Sequence, residues 1–238
     1  MHTTSHLLMI RPVQFSYNKE TAVNNAFQVA GKDTDVQLKA LEEFDAFVKV
    51  LIENGVDVMV INDTVDPYTP DSVFPNNWVS FHNDGTIVLY PMYAFNRRQE
   101  RKPKVLEQIK KRFSIRHVID LSNHEHQHKF LEGTGSMVLD RDKNIAYACL
   151  SPRTDKDLLD QFCEAMNYHA VPFSAFDING CAIYHTNVMM CVADRYVVIC
   201  INCIDDKEER KMVSQTIINS GKEIIEISMD QLNEFAGN

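Results

Sequence analysis

Residues 134–151 read TGSMVLDRDKNIAYACLS. A run of β-formers comes first, then a polar turn from Asp140 to Asn144, then a second β-rich run. That is the pattern of a hairpin. It occurs twice more. NNWVSFHNDGTIVLYPM (76–92) turns at Asn83-Asp84-Gly85, and TNVMMCVADRYVVICIN (186–202) turns between Ala193 and Arg195. Trp78, Ser136 and Val188 take similar places in the three copies, at intervals of about 50–60 residues, the mark of one repeated supersecondary unit.

The segment after each hairpin repeats as well. After the first, Val105, Leu106, Ile109 and Phe113 stand at helical spacing, and His117 to Leu121 reads as a strand. After the second, Thr154 is placed to cap a helix carrying Leu158, Leu159, Phe162 and Met166, with a strand from Ala170 to Ala175. After the third, Asp205 or Asp206 caps a helix reaching Ile218, Gly221 ends it, and Glu223 to Ser228 is a strand. Oxygen-bearing side chains before a helix and Gly after it answer its orphan backbone groups. Earlier, Leu38, Leu41, Phe44, Val48 and Leu51 form one apolar helical face closed by Gly55, between strands at Leu7 to Phe15 and Val56 to Ile61. The expectation is three complete hairpin–helix–strand units and one partial one, in a single α/β domain over residues 1–238.

Bulk properties narrow the function. The 238 residues are 45% hydrophobic, with 24 basic against 33 acidic side chains and a net charge of −9. That balance disfavours nucleic acid and anionic membranes as partners. No apolar run approaches the roughly 18 residues of a membrane helix. Arg11 cuts short the only apolar stretch near the N-terminus, which also lacks a basic start. Six cysteines without a secretory signal point to a reducing cytoplasm and free thiols.

Two motifs compete for attention. His124-Glu125-x-x-His128 spells a zinc-hydrolase helix, which puts both histidines on one face. Gly133 and Gly135 crowd such a helix, no third ligand follows on another one, and a His-rich loop is the preferred reading. As a strand, His124, His126 and His128 would share a face. Cys200-Ile-Asn-Cys203 is a formal C-x-x-C. With Cys200 inside an apolar strand, alternation sends the two thiols to opposite faces, as ordinary core cysteines.

Three polar clusters are more informative together than singly. Asp71, Asn76 and Asn77 precede the first hairpin, Glu132 in LEGTGS precedes the second, and His185 with Asn187 in YHTN precedes the third. Each holds the same place in its unit, so packing the units around an axis brings them toward one cleft.

At these motifs the sequence resembles the arginine-deiminase-related, amidinotransferase-like family, and within it the citrulline-utilisation hydrolase type. The matching stretches are MIRPVQFSYNKETAVNNAFQ, DTVDPYTPDSVFPNNWVSFHNDGTIVLYPMYAFNRRQER, FLEGTGSMVLDR, IAYACLSPRTD, IYHTNVMMCV and FAGN, from end to end of the chain. The resemblance implies the five-bladed α/β propeller (pentein) of guanidino-modifying enzymes. It implies a hydrolase that cleaves carbon–nitrogen bonds of a guanidino or ureido amino acid through a covalent cysteine intermediate. By residue, it makes Glu132 and His185 catalytic and Asp71, Asn76, Asn77, Gly133 and Asn187 substrate-binding, with no metal and no cofactor. Many guanidine-processing relatives carry Asp where Asn77 and Asn187 stand, and amides suit a neutral ureido group such as that of citrulline.

None of the six cysteines matches the family nucleophile, which belongs to the last unit. Most of that unit is expected to be lacking here, and the chain alone is expected to be inactive. Cys149 is the one substitute thiol considered. An open ring exposes strand edges, so a second copy or a complementing chain is an expected partner beside the small-molecule amino-acid substrate. Two alternatives stay open: a zinc-dependent hydrolase using residues 124–128, and a non-catalytic small-molecule-binding relative.

Overall fold

The structure is a computed structural model that describes residues 4–25, 27–28, 30–31 and 35–238. The chain divides into two compact units, one running to Ile119 and the other Asp120–Asn238.

In the first unit, β1 (His6–Arg11) and β2 (Asp57–Asn62) pair in parallel, from His6 opposite Asp57 to Arg11 opposite Asn62. Parallel neighbours need a crossover, and α1 (Val36–Glu53) supplies it. Strand β1 ends at Arg11 rather than Phe15, because Pro12 has no N–H to give a ladder. Along α1 the residues Leu41, Phe44, Val48 and Leu51 turn inward, whereas Leu38, in the first turn of the helix, is exposed. The hairpin of β3 (Val79–Phe81) and β4 (Thr86–Leu89) turns at Gly85, whose φ of +83° suits glycine. Two helices come next, α2 (Phe95–Arg98) and α3 (Pro103–Arg112), and β5 (His117–Asp120) then pairs with β4. Ile10, Ile61, Trp78, Val79, Leu89, Met92, Val105 and Ile109 form one buried cluster that ties both sheets to α3.

The second unit opens with a 3-10 turn (Ser122–Gln127), followed by the short α4 (Gly133–Ser136). The antiparallel hairpin of β6 (Val138–Asp140) and β7 (Ile145–Cys149) leads into α5 (Lys156–Met166), and β8 (His169–Phe173) returns parallel to β7. The pattern then repeats. The hairpin of β9 (Met190–Val192) and β10 (Tyr196–Ile199) leads into α6 (Lys207–Asn219), β11 (Glu223–Glu226) returns parallel to β10, and α7 (Met229–Asn233) comes last. Leu158, Leu159 and Phe162 of α5 and Val213 and Ile217 of α6 are buried.

The helix caps refine the sequence reading. Asp155, not Thr154, caps α5 by accepting from the Leu158 N–H, while Thr154 exchanges backbone hydrogen bonds with Ser151. Asp206 caps α6 through the N–H groups of Glu208 and Glu209. Strand β11 stops at Glu226 because Ser228 is committed to capping α7. Three hairpins each with a third strand, and one two-stranded parallel pair, make four open sheets among the described residues. No described helix is long and apolar enough to cross a membrane.

Candidate active site

Every hairpin is entered through a short helical turn: Pro75–Asn77 before β3, α4 before β6 and Thr186–Val188 before β9. Glu132 is the residue immediately before α4, and His185 the residue immediately before the third turn. Equivalent places in two successive repeats thus carry the acid and the imidazole, and within the second unit the structure brings them together. His185 Nε2 lies 2.7 Å from Glu132 Oε2, with Glu132 fully buried and His185 nearly so. An ionised carboxylate only accepts, so the imidazole proton sits on Nε2 and is donated to Glu132.

Arg153 is also a partner of Glu132, with Nη1 3.5 Å from the same Oε2. Arg153 is itself buried, and its guanidinium lies 4.8 Å from the centre of the Tyr184 ring. A buried carboxylate is tolerated when its charge is paired and its oxygens accept hydrogen bonds, and His185 and Arg153 both serve Glu132 in this way. Main-chain contacts lock the frame. Ser136 Oγ accepts from the Glu132 N–H and donates to the Arg153 carbonyl, both at 2.8 Å. Thr186 Oγ1 donates to the Ser136 carbonyl at 2.5 Å and accepts from the Cys149 N–H at 2.8 Å. One hydroxyl therefore joins the two turns that present Glu132 and His185. Gly133 is buried with φ of +47°, a conformation that favours glycine, and Asn187 is half-buried in the middle of its turn.

The remaining sequence-derived candidates lie in the first unit. Asn77 is buried and its Oδ1 accepts from Arg97 Nη1 at 2.8 Å. Arg97, also buried, makes a two-pronged pair with Glu100, and its Nε stands 4.0 Å from Asp71 Oδ2. Asp71 Oδ2 accepts from Asn18 Nδ2 at 2.7 Å and from Thr21 Oγ1 at 3.2 Å. Asn18 and Asn96 exchange amide hydrogen bonds. So the structure joins Asp71 and Asn77 through Arg97, while Asn76 is exposed.

Residues 11–238 match the family described as N,N dimethylarginine dimethylhydrolase, eukaryotic. The chain belongs to that family. The family's description is that of a hydrolase acting on a methylated arginine, in line with the guanidino chemistry that the sequence resemblance implied. Solved structures agree on the α/β fold. The substrate-bound N-terminal domain of ArgZ, an arginine dihydrolase from the ornithine-ammonia cycle in cyanobacteria, superposes with a TM-score of 0.75 at 18% identity, covering 98% of this chain and 79% of that one. AgrE in its complex with ornithine and NAD+ gives 0.77 at 20% identity, covering 99% of this chain and 32% of AgrE. A dimethylarginine dimethylaminohydrolase adduct with 4-chloro-2-hydroxymethylpyridine gives 0.58 at 15% identity, covering 95% and 93%. The chain spans only 33% of full-length ArgZ. No curated protein sequence matches it.

The competing motifs resolve on geometry. Residues 122–127, which hold His124 and Glu125, form a 3-10 turn, and His128 comes next with φ of +55°. A 3-10 turn eclipses residues three apart, not four, so the two histidines do not share the face that an α-helix gives them. Among the described residues, no three His, Cys, Asp or Glu side chains gather in a way that could hold a metal. The C-x-x-C reading needs correction. Strand β10 ends at Ile199, and Ile201–Cys203 is a 3-10 turn, so strand alternation does not apply to the two thiols. All six cysteines are free. Cys149 is fully buried, donates to the Ile183 carbonyl, and has its thiol pushed up to about 12 by burial, which disfavours a nucleophilic thiolate.

Sequence reasoning passed over Arg153 and Arg97 as site residues. Both are buried arginines paired with a buried glutamate. Their signal was present: each comes after the second strand of its hairpin, in FNRRQER and SPRTD, roughly one repeat apart.

Gly237, in the FAGN stretch, backs the His185 turn. A Cβ there meets Met189 C and Val188 O at 2.8 Å, and these are backbone atoms that cannot swing aside. Gly237→Ala is expected to cost about 1–3 kcal/mol, as overpacking does. Urea unfolding followed by far-UV circular dichroism checks it; an unchanged midpoint would show that the contact yields freely.

Proposed function

We propose that this chain carries the acid–imidazole part of a cysteine-dependent hydrolase acting on a guanidino or ureido amino acid. The observation that carries the reading is the fully buried Glu132 hydrogen-bonded to His185 at 2.7 Å. In the reaction, a thiolate adds to the central carbon of the guanidino or ureido group. His185 gives a proton to the departing nitrogen, and then takes one from the water that cleaves the thioester-like or amidino-thioether intermediate. Glu132 accepts N–H groups of the substrate and holds them in line. The Arg153 guanidinium already lies 3.5 Å from Glu132, and a substrate guanidinium is the same chemical group, so substrate takes up a role that Arg153 already rehearses.

The thiol itself is proposed to come from outside these 238 residues. Burial raises Cys149 and Cys163 to about 12 and also raises Cys191, and none of the six matches the family's nucleophile by sequence. The proposed fold is the five-bladed α/β propeller, with residues 1–238 in a single domain. Asp71, Asn76, Asn77, Gly133 and Asn187 are proposed to shape the substrate site, and the amides favour a neutral ureido group. The cytoplasm is the proposed compartment, and a second copy or a complementing chain the proposed protein partner.

Calorimetry of the 238-residue chain against arginine, citrulline, Nω-methylarginine and ornithine, run beside an assay for released amine, tests this. Binding of the first three over ornithine, without turnover, is expected. Equal affinity for ornithine removes the guanidino or ureido group as the thing recognised. Turnover by the chain alone, with an intermediate trapped on one of its own cysteines, overturns the external thiol.

A further inference from the structure

Cys200 and Cys203 are both fully buried, although they sit in a turn and not in a strand. The turn closes through the Cys203 N–H donating to the Cys200 carbonyl at 3.2 Å, and this folds both side chains toward one point. At that point is a third sulfur. Met229 Sδ lies 3.2 Å from Cys203 Sγ and 3.7 Å from Cys200 Sγ. Met229 is the first residue of α7 and is held there by the reciprocal Ser228–Gln231 cap. Fully buried Ile199 and Ile204 flank the turn, and Asn202 Nδ2 donates to Glu226 Oε1 at 2.9 Å, fastening it to β11.

The geometry points to a three-sulfur site, made by Cys200, Cys203 and Met229, for a soft monovalent d10 cation of the Cu(I) type. Thiolate and thioether sulfur is the donor set that selects such ions. Metal–sulfur bonds of about 2.3 Å in a trigonal plane put the sulfurs about 4 Å apart, so each thiol needs to move away from the Met229 sulfur by only a few tenths of an ångström to just under one. Other occupants fit worse. Structural zinc takes four ligands, and no third His, Cys, Asp or Glu joins the two thiols among the described residues. A disulfide would give the thioether no role. The hydrogen bond between the thiols already pulls Cys200 below the ordinary thiol value and pushes Cys203 above it, marking Cys200 as the first to ionise. Coordination of both as thiolates releases two protons, one from each. Met229 is half-buried, whereas both cysteines are fully buried.

The test is an anaerobic titration of the reduced, metal-free protein with Cu(I) held in competition by bicinchoninate. One equivalent per chain is expected, together with the release of two protons. Met229→Leu keeps the volume and fold and is expected to weaken Cu(I) by at least about tenfold, the loss typical of even an outer-shell partner. Cys203→Ser, with its fold checked by circular dichroism, should lose the stoichiometric site, and Cys181→Ser, removing an exposed thiol, should keep it. Unchanged affinity in Met229→Leu, or wild-type stoichiometry in Cys203→Ser, overturns the assignment.

Discussion

Replacing Arg153 by leucine is expected to destabilise the protein by about 3–5 kcal/mol, the range seen when one member of a buried ion pair is removed. Leucine fills much of the space left by the aliphatic stem, so the loss is chiefly electrostatic. It strands the fully buried carboxylate of Glu132, which keeps its hydrogen bond to His185 but loses the guanidinium charge. The backbone contacts of residue 153 survive the change. Its carbonyl still accepts from Ser136 Oγ and its N–H still donates to Ser151 Oγ, so the side chain alone is being read. Urea unfolding followed by far-UV circular dichroism measures the effect, with the slope checked for constancy. The double variant Arg153→Leu/Glu132→Gln should recover a large part of the loss, because removing both charges leaves nothing stranded. A single-variant loss below about 1 kcal/mol, the level of an exposed ion pair, would mean that Glu132 does not depend on Arg153. Arg153→Lys keeps the charge without the planar fork or the stacking on Tyr184, and should fall between.

The same pair shows what the sequence could and could not disclose. Glu132 and His185 were legible as a pair because each stands just before a hairpin, and a repeated unit puts equivalent residues in equivalent surroundings. Arg153 shared a repeat position with Arg97, but its importance comes from what it touches across 21 residues of chain, and nothing local in SPRT announces that contact. The three hairpins were legible from β-rich runs around polar turns, and some boundaries shifted where a local chemical rule intervened, as with Pro12 ending β1. The error at Cys200 has the same origin. Alternation holds only while the strand continues, and β10 stops one residue before Cys200. No period in the sequence marks that stop, because the apolar run goes on through Ile201 and Cys203 into the 3-10 turn. In the first unit, Asp71 and Asn77 were chosen for their type and place, whereas the residue that joins them, Arg97, lies 20 positions beyond Asn77.

Glu132→Gln should separate guanidinium from ureido recognition. A hydrogen bond to a charged group contributes about 1.5–3 kcal/mol, and every 1.4 kcal/mol is tenfold in affinity. If the carboxylate of Glu132 receives a substrate guanidinium, Gln keeps the size and one acceptor but loses the charge and the bidentate match. Arginine affinity is then expected to fall by about 10–100-fold. Citrulline brings no charge, so its affinity should fall less, by about tenfold or below, in line with a neutral hydrogen bond of about 0.5–1.5 kcal/mol. His185→Ala offers the contrast. Its imidazole is assigned to proton transfer, so ligand affinity should change little in calorimetry, while the loss of its hydrogen bond to Glu132 lowers stability. Equal losses for arginine and citrulline in Glu132→Gln would mean that the carboxylate acts on the ligand through its frame with Arg153 and His185 and not by direct contact. No loss for either would place the ligand elsewhere and sink the assignment of Glu132 as the substrate-binding acid.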